Sequence, residues 1–532
     1  RPAGVRGEVL AATALLTRHL RGRHWERSLA VLLGARRRAL ALDLVAHSAA
    51  VAACSGAKQW ARALHLFANI CAERIAPDVI VYNLLITACE RGAQWSKGLS
   101  LLRGMQVAHV LPDIVSFNAT TSACEKGQRW WEALRLLREG RARRLQPDLV
   151  SYNAAASACE KGHQWPAALA VLHDLRVRRL APDVISFNAA TSACEKASQW
   201  RRALELVHVA AAAGVPPDVI TYNACISACD RGLQWQWSLG LLRSMGPRPN
   251  SVTYNATIGA CARGQQWRWA LALLREMPRI GVTPDAIGYS ASIGACERGL
   301  QWDRALLLLR GLAGARLQPR ATACNAAIRA CDQGRQWRRA LGVLSEMMGA
   351  GLGIDEVTYS TIVSALEKGQ EWERALVLFD ELVLSCGGCD VVALSAAVSA
   401  CEKGRRWELA IHTLEDALQR GPEPNIVTHS AAVCAASRAE RWRFALALLS
   451  RMVPARAPPD EVGFGYALGA CERSGAGAAG PALLRAMWAT RAEPGVLNLG
   501  VLLGNLGCAG RPGLVAYALK DAQRRFHGAA HD

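Results

Sequence analysis

A chain of 532 residues is too long for one ordinary core, so it holds either several domains or an array of repeats. Apolar residues make up 51% of it, which excludes general disorder, and no window reaches the ~20 uncharged apolar residues that cross a bilayer. The 63 Lys and Arg against 44 Asp and Glu leave a net charge of +19, which points to a polyanion, nucleic acid before membrane, with a biased Ala-, Arg- and Gly-rich composition as the plainer explanation.

The chain opens at Arg1 rather than Met, so residues 1–8 are expected to be the truncated lead-in of a longer chain whose targeting peptide lies upstream. From Val9 one period governs. Trp25, Trp60, Trp95, Trp130, Trp165, Trp200, Trp235, Trp267, Trp302, Trp337, Trp372, Trp407 and Trp442 recur every 35 residues, with a single step of 32 after Trp235. Three residues before most of these Trp stands a Gly, often within Ala-Cys-Glu-Lys-Gly, as at Ala123–Gly127, Ala158–Gly162 and Ala400–Gly404. Thirteen units fill 9–460, starting at Val9, Leu44, Val79, Ile114, Leu149, Val184, Val219, Ser251, Ala286, Ala321, Glu356, Val391 and Ile426. Two degenerate units starting at Glu461 and Val496 are expected to cap the array over 461–530, leaving 531–532 as a tail.

Each unit reads as two helices. In 184–218, Pro182 and Asp183 precede a helix over Val184–Lys196, with the Asp as N-cap; such first helices end in a basic residue and usually a Gly, which suits a C-terminal turn. A second helix begins near Trp200, carries Ala203, Leu204, Leu206 and Val207 on one face, and closes at Gly214. Small residues three after the Trp, such as Ala133, Ala168, Ala203, Ala270 and Ala305, let the two helices approach closely. One hairpin cannot bury both faces, so the units must stack. The expected fold is all-α, a right-handed α–α superhelical solenoid of helix-turn-helix repeats. The unit 219–250 is short by three residues near Met245–Asn250, and an irregularity is expected there; the Gly-rich stretch 474–480 is expected to fray or cap.

A 35-residue helical hairpin entered by Pro-Asp and then Val-Ile-Ser/Thr-Tyr-Asn, as at Val219–Asn223, resembles the pentatricopeptide repeat family over 9–495 and more weakly beyond. The resemblance implies single-stranded RNA as partner, one nucleotide per unit, read by the fifth and last residues of each unit. On that reading the fifth residues are Thr13, Ser48, Asn83, Asn118, Asn153, Asn188, Asn223, Asn255, Ser290, Asn325, Ser360, Ser395 and Ser430. The last residues are Asp43, Asp78, Asp113, Asp148, Asp183, Asp218, Asn250, Asp285, Arg320, Asp355, Asp390, Asn425 and Asp460. In the family Asn with Asp tends to U, Asn with Asn to C, Thr or Ser with Asp to G, and Ser with Asn to A. The implied target is GGUUUUCUNUGAG, the ninth base left open by Arg320. Second residues, aliphatic at Ile80, Val115, Val150, Ile185, Ile220, Val252, Ile287 and Val357, are implied to wedge between bases. Thirteenth residues, basic at Arg91, Lys126, Lys161, Lys196, Arg231, Arg263, Arg298, Lys368 and Lys403, are implied to face the phosphates.

Plainer readings stand beside these. The last Asp serves equally as a helix cap, the fifth Asn as a buried interhelical hydrogen-bonding residue, and the thirteenth cation as a partner of the helix dipole. The recurring Trp is read as packing between hairpins rather than base stacking, and Trp131, Trp237, Trp269 and Trp488 as off-period surface residues. Eleven of the 18 Cys, Cys89 and Cys124 among them, share one small apolar slot and read as core. The pair Cys386 and Cys389 lacks a second pair or nearby His, so no metal and no cofactor is expected. No catalytic motif appears, and the chain is expected to be a binder rather than an enzyme. The resemblance places it in an organelle, chloroplast before mitochondrion, with RNA-processing proteins as further partners and no membrane; a protein-binding scaffold is the alternative.

Overall fold

The computed structural model describes residues 25–37 and 43–474 apart from 74, 247, 316, 387–388, 421–422 and 453–458, together with 14–15, 483 and 486–487. Among these residues there are 26 α-helices, one short 3-10 turn and no strand, so the architecture is the all-α helical repeat array expected. Thr13, the lead-in 1–8, the unit from Val496, Trp488 and the side chain of Cys386 lie outside the described residues. The chain forms two compact bodies, Arg1–Gly264 and Gln265–Asp532.

The first body shows how a unit is made. Asp78 holds an extended backbone (φ −93°, ψ 174°) and its carboxylate accepts the Val81 N–H at 2.9 Å, which starts the helix Val79–Arg91. At the other end Gln94 N–H donates to Cys89 O at 2.8 Å and closes the last turn. Glycine does not make that turn by its conformational freedom, contrary to the expectation from sequence. Gly92 has an ordinary φ of −89°, and the left-handed residue is the next one, Ala93 at φ 54°. Gly92 is there for space: a Cβ on it would stand 2.3 Å from Cδ1 of Trp60 in the preceding unit. Gly127, Gly162 and Gly232 meet Trp95, Trp130 and Trp200 in the same way. Trp and Gly therefore recur together because the indole of one hairpin lies on the helix end of the next. Each such Trp is half-buried, which suits packing between units.

First helices pack on the first helices of neighbouring units and on their own second helices. Ala133, Ala168 and Ala203 are fully buried where the two helices of a hairpin meet, and Tyr152 and Phe187 fill the interior at the fourth residue of their units. Cys89, Cys124, Cys159 and Cys194 are buried, as a small apolar slot requires. The three-residue deletion shortens the second helix of its unit to Trp235–Ser244, ten residues against thirteen in Trp200–Ala212.

The second body repeats the scheme over one core that runs from Ile293 to Met487. It opens with Trp267–Glu276, whose end tightens into a 3-10 turn, Met277–Ile280, before Gly281 turns the chain at φ 82°. Three units break the pattern at their fourth residue, one of them with the buried Leu394. Cys324 replaces the aromatic and borders a cavity of about 280 Å³ lined by Leu309, Pro319, Met347 and Leu352. His429 is buried, and neither ring nitrogen has a hydrogen-bond partner.

Candidate functional site

Residues two, five, nine and twelve of a helix lie three or four apart and so share one face. On the first helices that face carries the second and fifth residues, with the last residue of each unit capping the start of the next helix and the cation at its end. Its central motif joins three side chains from two successive units. Asn118 donates through Nδ2 to Asp148 Oδ1 at 3.1 Å, and the hydroxyl of Ser151 lies 2.5 Å from Asn118 Oδ1 and 2.8 Å from Asp148 Oδ1. Asp148 meanwhile caps the next helix by accepting the Ser151 N–H at 2.9 Å. Capping and pairing with the fifth residue are thus one arrangement, and Asn118 makes its bonds from a half-buried rather than a buried position.

The same triad forms from Asn83, Asp113 and Ser116, from Asn153, Asp183 and Ser186, and from Asn188, Asp218 and Thr221. In the second body Asn325, Asp355 and Thr358 make it. Asn223 meets Asn250 and Thr253 instead: the Thr253 hydroxyl stands 2.6 Å from Asn223 Oδ1 and 2.9 Å from Asn250 Oδ1. Burial alone would raise the Asp148 carboxyl, but hydrogen bonds from the backbone and hydroxyl of Ser151 and from Asn118 outweigh it and hold the carboxyl below the ordinary range. Asp113, Asp218 and Asp355 are lowered for the same reasons. These carboxylates are charged at neutral pH.

Serine at the fifth position behaves differently. Ser430 reaches Asp460 at 3.2 Å, whereas Ser48, Ser360 and Ser395 donate to carbonyls of their own helices. Asp43, Asp78, Asp285 and Asp460 cap their helices, as does Asn425, while Asp390 makes no side-chain cap bond. Asn255 lies on the last first-helix of the first body.

The aliphatic second residues are exposed. Ile80, Val115, Val150, Ile185, Ile220, Val252, Ile287 and Val357 range from 44% to 63% accessible, although each lies on a helix with a buried face. Val45, Val392, Val427 and Val462 are similarly exposed at the same position of their units, and Thr322 interrupts the aliphatic series.

Seven of the nine thirteenth-residue cations are in ion pairs. Lys126, Lys161 and Lys196 bind Glu90, Glu125 and Glu160 of the preceding units at 2.7–3.0 Å, and Lys368 and Lys403 bind Asp332 and Glu367 at 2.6 and 2.9 Å. Arg231 lies 3.7 Å from Glu195, Arg263 binds Asp230, and Arg91 donates to the Ser55 carbonyl. Arg298 ends the helix Ala286–Arg298. The ladder extends to Arg438 on Glu402 and, where Gln333 replaces the usual cation, to Arg329 one turn earlier, 3.9 Å from Glu297. These pairs are partly exposed, so each is worth only about 0–1 kcal/mol, and the cation stays available to another anion.

Three sets of residues escape a reading by period alone: the hydroxyls of Ser116, Ser151, Ser186, Thr221, Thr253 and Thr358, the carboxylates of the ladder, and Arg329. The hydroxyls do leave a signal. In these slots the fifth-position Asn is followed by a hydroxyl on the third residue of the next unit, whereas Val81, Ala323 and Ala393 follow Ser48, Ser290 and Ser360.

Family models match the chain in several places. The pentatricopeptide repeat domain matches residues 31–91, 135–197 and 170–231, the PPR repeat family 249–298, and the PPR repeat 80–110 and 357–385. Among solved structures the chain is similar to the pentatricopeptide repeat protein PPR10 from maize, at 20% identity over 97% of this chain and 88% of that one, with a TM-score of 0.54. It is likewise similar to PPR10 in complex with an 18-nt psaJ RNA element, at 21% identity over 94% of this chain and 77% of that one, with a TM-score of 0.51. No curated protein matches the sequence.

Proposed function

The chain belongs to the pentatricopeptide repeat family, and on that premise we propose that it binds single-stranded RNA, one nucleotide to each complete unit. The observation that carries the proposal is the locked Asn–Asp pair. Ser151 occupies Asn118 Oδ1, and Asp148 takes one amide N–H, so the second N–H is left as a donor beside the free acceptor Asp148 Oδ2. Uracil matches that pair, with a carbonyl acceptor next to the N3–H donor. In the Asn223–Asn250 slot the Thr253 hydroxyl takes Asn223 Oδ1 and the Thr253 N–H takes Asn250 Oδ1, and two amide groups remain as donors. Cytosine, with O2 and N3 as adjacent acceptors, fits there. In these two slots the donor pattern supports the same U and C that the family resemblance implies, whereas at Asp113, Asp183, Asp218 and Asp355 the amide also engages Oδ2.

Exposed aliphatic residues at the second positions supply apolar surface against base faces, and the cation ladder supplies one charge per unit for the phosphates. Binding, not chemistry, is the role these groups suit. Burial pushes the Cys89 thiol up to about 11 and the Cys124 thiol up to about 12, so neither is a thiolate nucleophile at neutral pH. Action on organellar transcripts, in the chloroplast before the mitochondrion, rests on the family resemblance alone. The test is selection from a random RNA pool. Enrichment of UUUUC within GGUUUUCUNUGAG supports the proposal, and a pool left without any enriched motif overturns it in favour of a protein scaffold.

A further inference from the structure

In the first body the second helices of two successive units end unlike the others. Residues 138–144 and 173–179 hold seven arginines against only Glu139 and Asp174, whereas the matching residues of the following unit, 208–214, hold none. The two ends touch. Arg141 binds Asp174 and donates to the Tyr152 hydroxyl at 2.6 Å, and Arg178 binds the other oxygen of Asp174 at 3.2 Å. Glu139 takes Arg143 at 2.7 Å. Arg138, Arg144, Arg176 and Arg179 are exposed, and among the described residues they have no acidic partner. Burial, with the charges of Arg178 and Arg138 adding to it, holds the Arg141 guanidinium below its ordinary value. Compensation of the helix dipole accounts for a cation at each helix end, not for this crowding of like charge. Apolar surface borders the cluster. Val107, Ala142 and Val177 end three successive second helices in one register. Val107 is 82% exposed, Val177 66%, and Leu111, just beyond Val107, 85%.

We infer that these helix ends dock an acidic segment of a partner protein, its carboxylates pairing with Arg144, Arg176 and Arg179 and its apolar side chains covering Val107, Leu111 and Val177. Charge complementarity sets the sign of the partner, and the guanidinium fork suits carboxylates. Asp174 already fills one such place from within, with Arg141 on one oxygen and Arg178 on the other. Two observations favour protein over RNA here. Exposed aliphatic residues interleaved with arginine make the mixed surface typical of protein interfaces. The cluster also stands at the far end of the first helices from the cation ladder. Arg144 comes just before Asp148, which starts the helix Leu149–Lys161, and those thirteen residues put Lys161 about 20 Å away.

The experiment selects binders of the full chain from a displayed library of random peptides. Selected peptides are then measured against the wild type, R144E/R176E/R179E, and R27E/R275E/R310E, which makes the same change of charge at exposed positions elsewhere. The expected result is a consensus mixing Asp or Glu with Leu, Ile or Phe. These peptides should bind R144E/R176E/R179E at least about 10-fold more weakly than the wild type and R27E/R275E/R310E nearly as well. R144Q/R176Q/R179Q, which removes the charge without reversing it, should show an intermediate loss. A selected pool without that consensus overturns the inference, as does a consensus that both charge-reversed variants bind alike. A third result also overturns it: R144E/R176E/R179E losing more affinity than R27E/R275E/R310E for GGUUUUCUNUGAG, since the cluster would then hold RNA.

Discussion

The Asn118–Asp148–Ser151 slot allows a substitution that changes one hydrogen-bonding atom and little else. Asn caps helices as well as Asp does, so D148N keeps the Ser151 N–H bond, 2.9 Å long in the native protein, through its Oδ1. Asn250 already does this, accepting the Thr253 N–H at 2.9 Å. What changes is the outward atom: Oδ2, an acceptor with no partner in the free protein, becomes an NH₂ donor. Uracil N3–H then meets a donor and cytosine N3 gains one. A matched two-point contact is worth about 1–3 kcal/mol of base discrimination, so preference at the fourth base should move from U to C by about 5- to 150-fold. The assay is competition binding with GGUUUUCUNUGAG and its fourth-base C variant, and the remaining bases should be read as before. The Asp148 carboxyl is held low in the folded protein, so its contribution to stability is present above the unfolded pKa and lost as pH falls through the folded value; D148N removes that acid-side loss. An unchanged fourth-base preference in a folded D148N protein would refute the donor–acceptor reasoning.

Three further outcomes follow from packing. G162A should lower the melting midpoint by the equivalent of about 1–3 kcal/mol, because its Cβ would stand 2.5 Å from Trp130 Cδ1. G104A, inside the helix Trp95–Val107 with nothing within 4 Å of its Cβ, should raise it by about 1 kcal/mol; thermal melts of both variants check the opposite signs. H429F should stabilise by about 1–3 kcal/mol, since two unpartnered buried nitrogens are removed and Phe464 fills the same slot in the next unit. Burial holds the His429 pKa below its ordinary value, so wild-type stability is full above about 6.5 and declines as pH falls through that range. Melts from pH 8 to pH 5 should show that decline in the wild type and less of it in H429F.

The period made the helices legible almost to the residue. Val184–Lys196 was readable from Asp183 at one end and the basic residue at the other, because capping and termination are local events. The missing turn before Asn250 was legible for the same reason. Contacts between units were not. Period shows that Glu, Lys, Gly and Trp recur, but not that Lys126 meets Glu90 thirty-six residues earlier, or that Gly127 makes room for Trp95. The Gly before most of these Trp looked like a turn residue because glycine usually supplies left-handed backbone, yet here Ala93, Gln128 and His163 take that conformation. At the candidate site Asn118 and Asp148 were visible as recurring positions, while Ser151, which fixes the amide, was hidden among ordinary helix-start residues.

Fluorescence anisotropy of the full chain with labelled GGUUUUCUNUGAG, a scrambled RNA of the same composition, and the matching DNA, over a salt series, tests the central claim most directly. The account predicts tight binding to the first alone, with an affinity that falls steeply with salt, by about 0.7 in slope for each phosphate neutralised. Equal and weak binding to all three would contradict it and leave a helical array whose polar face serves some other partner.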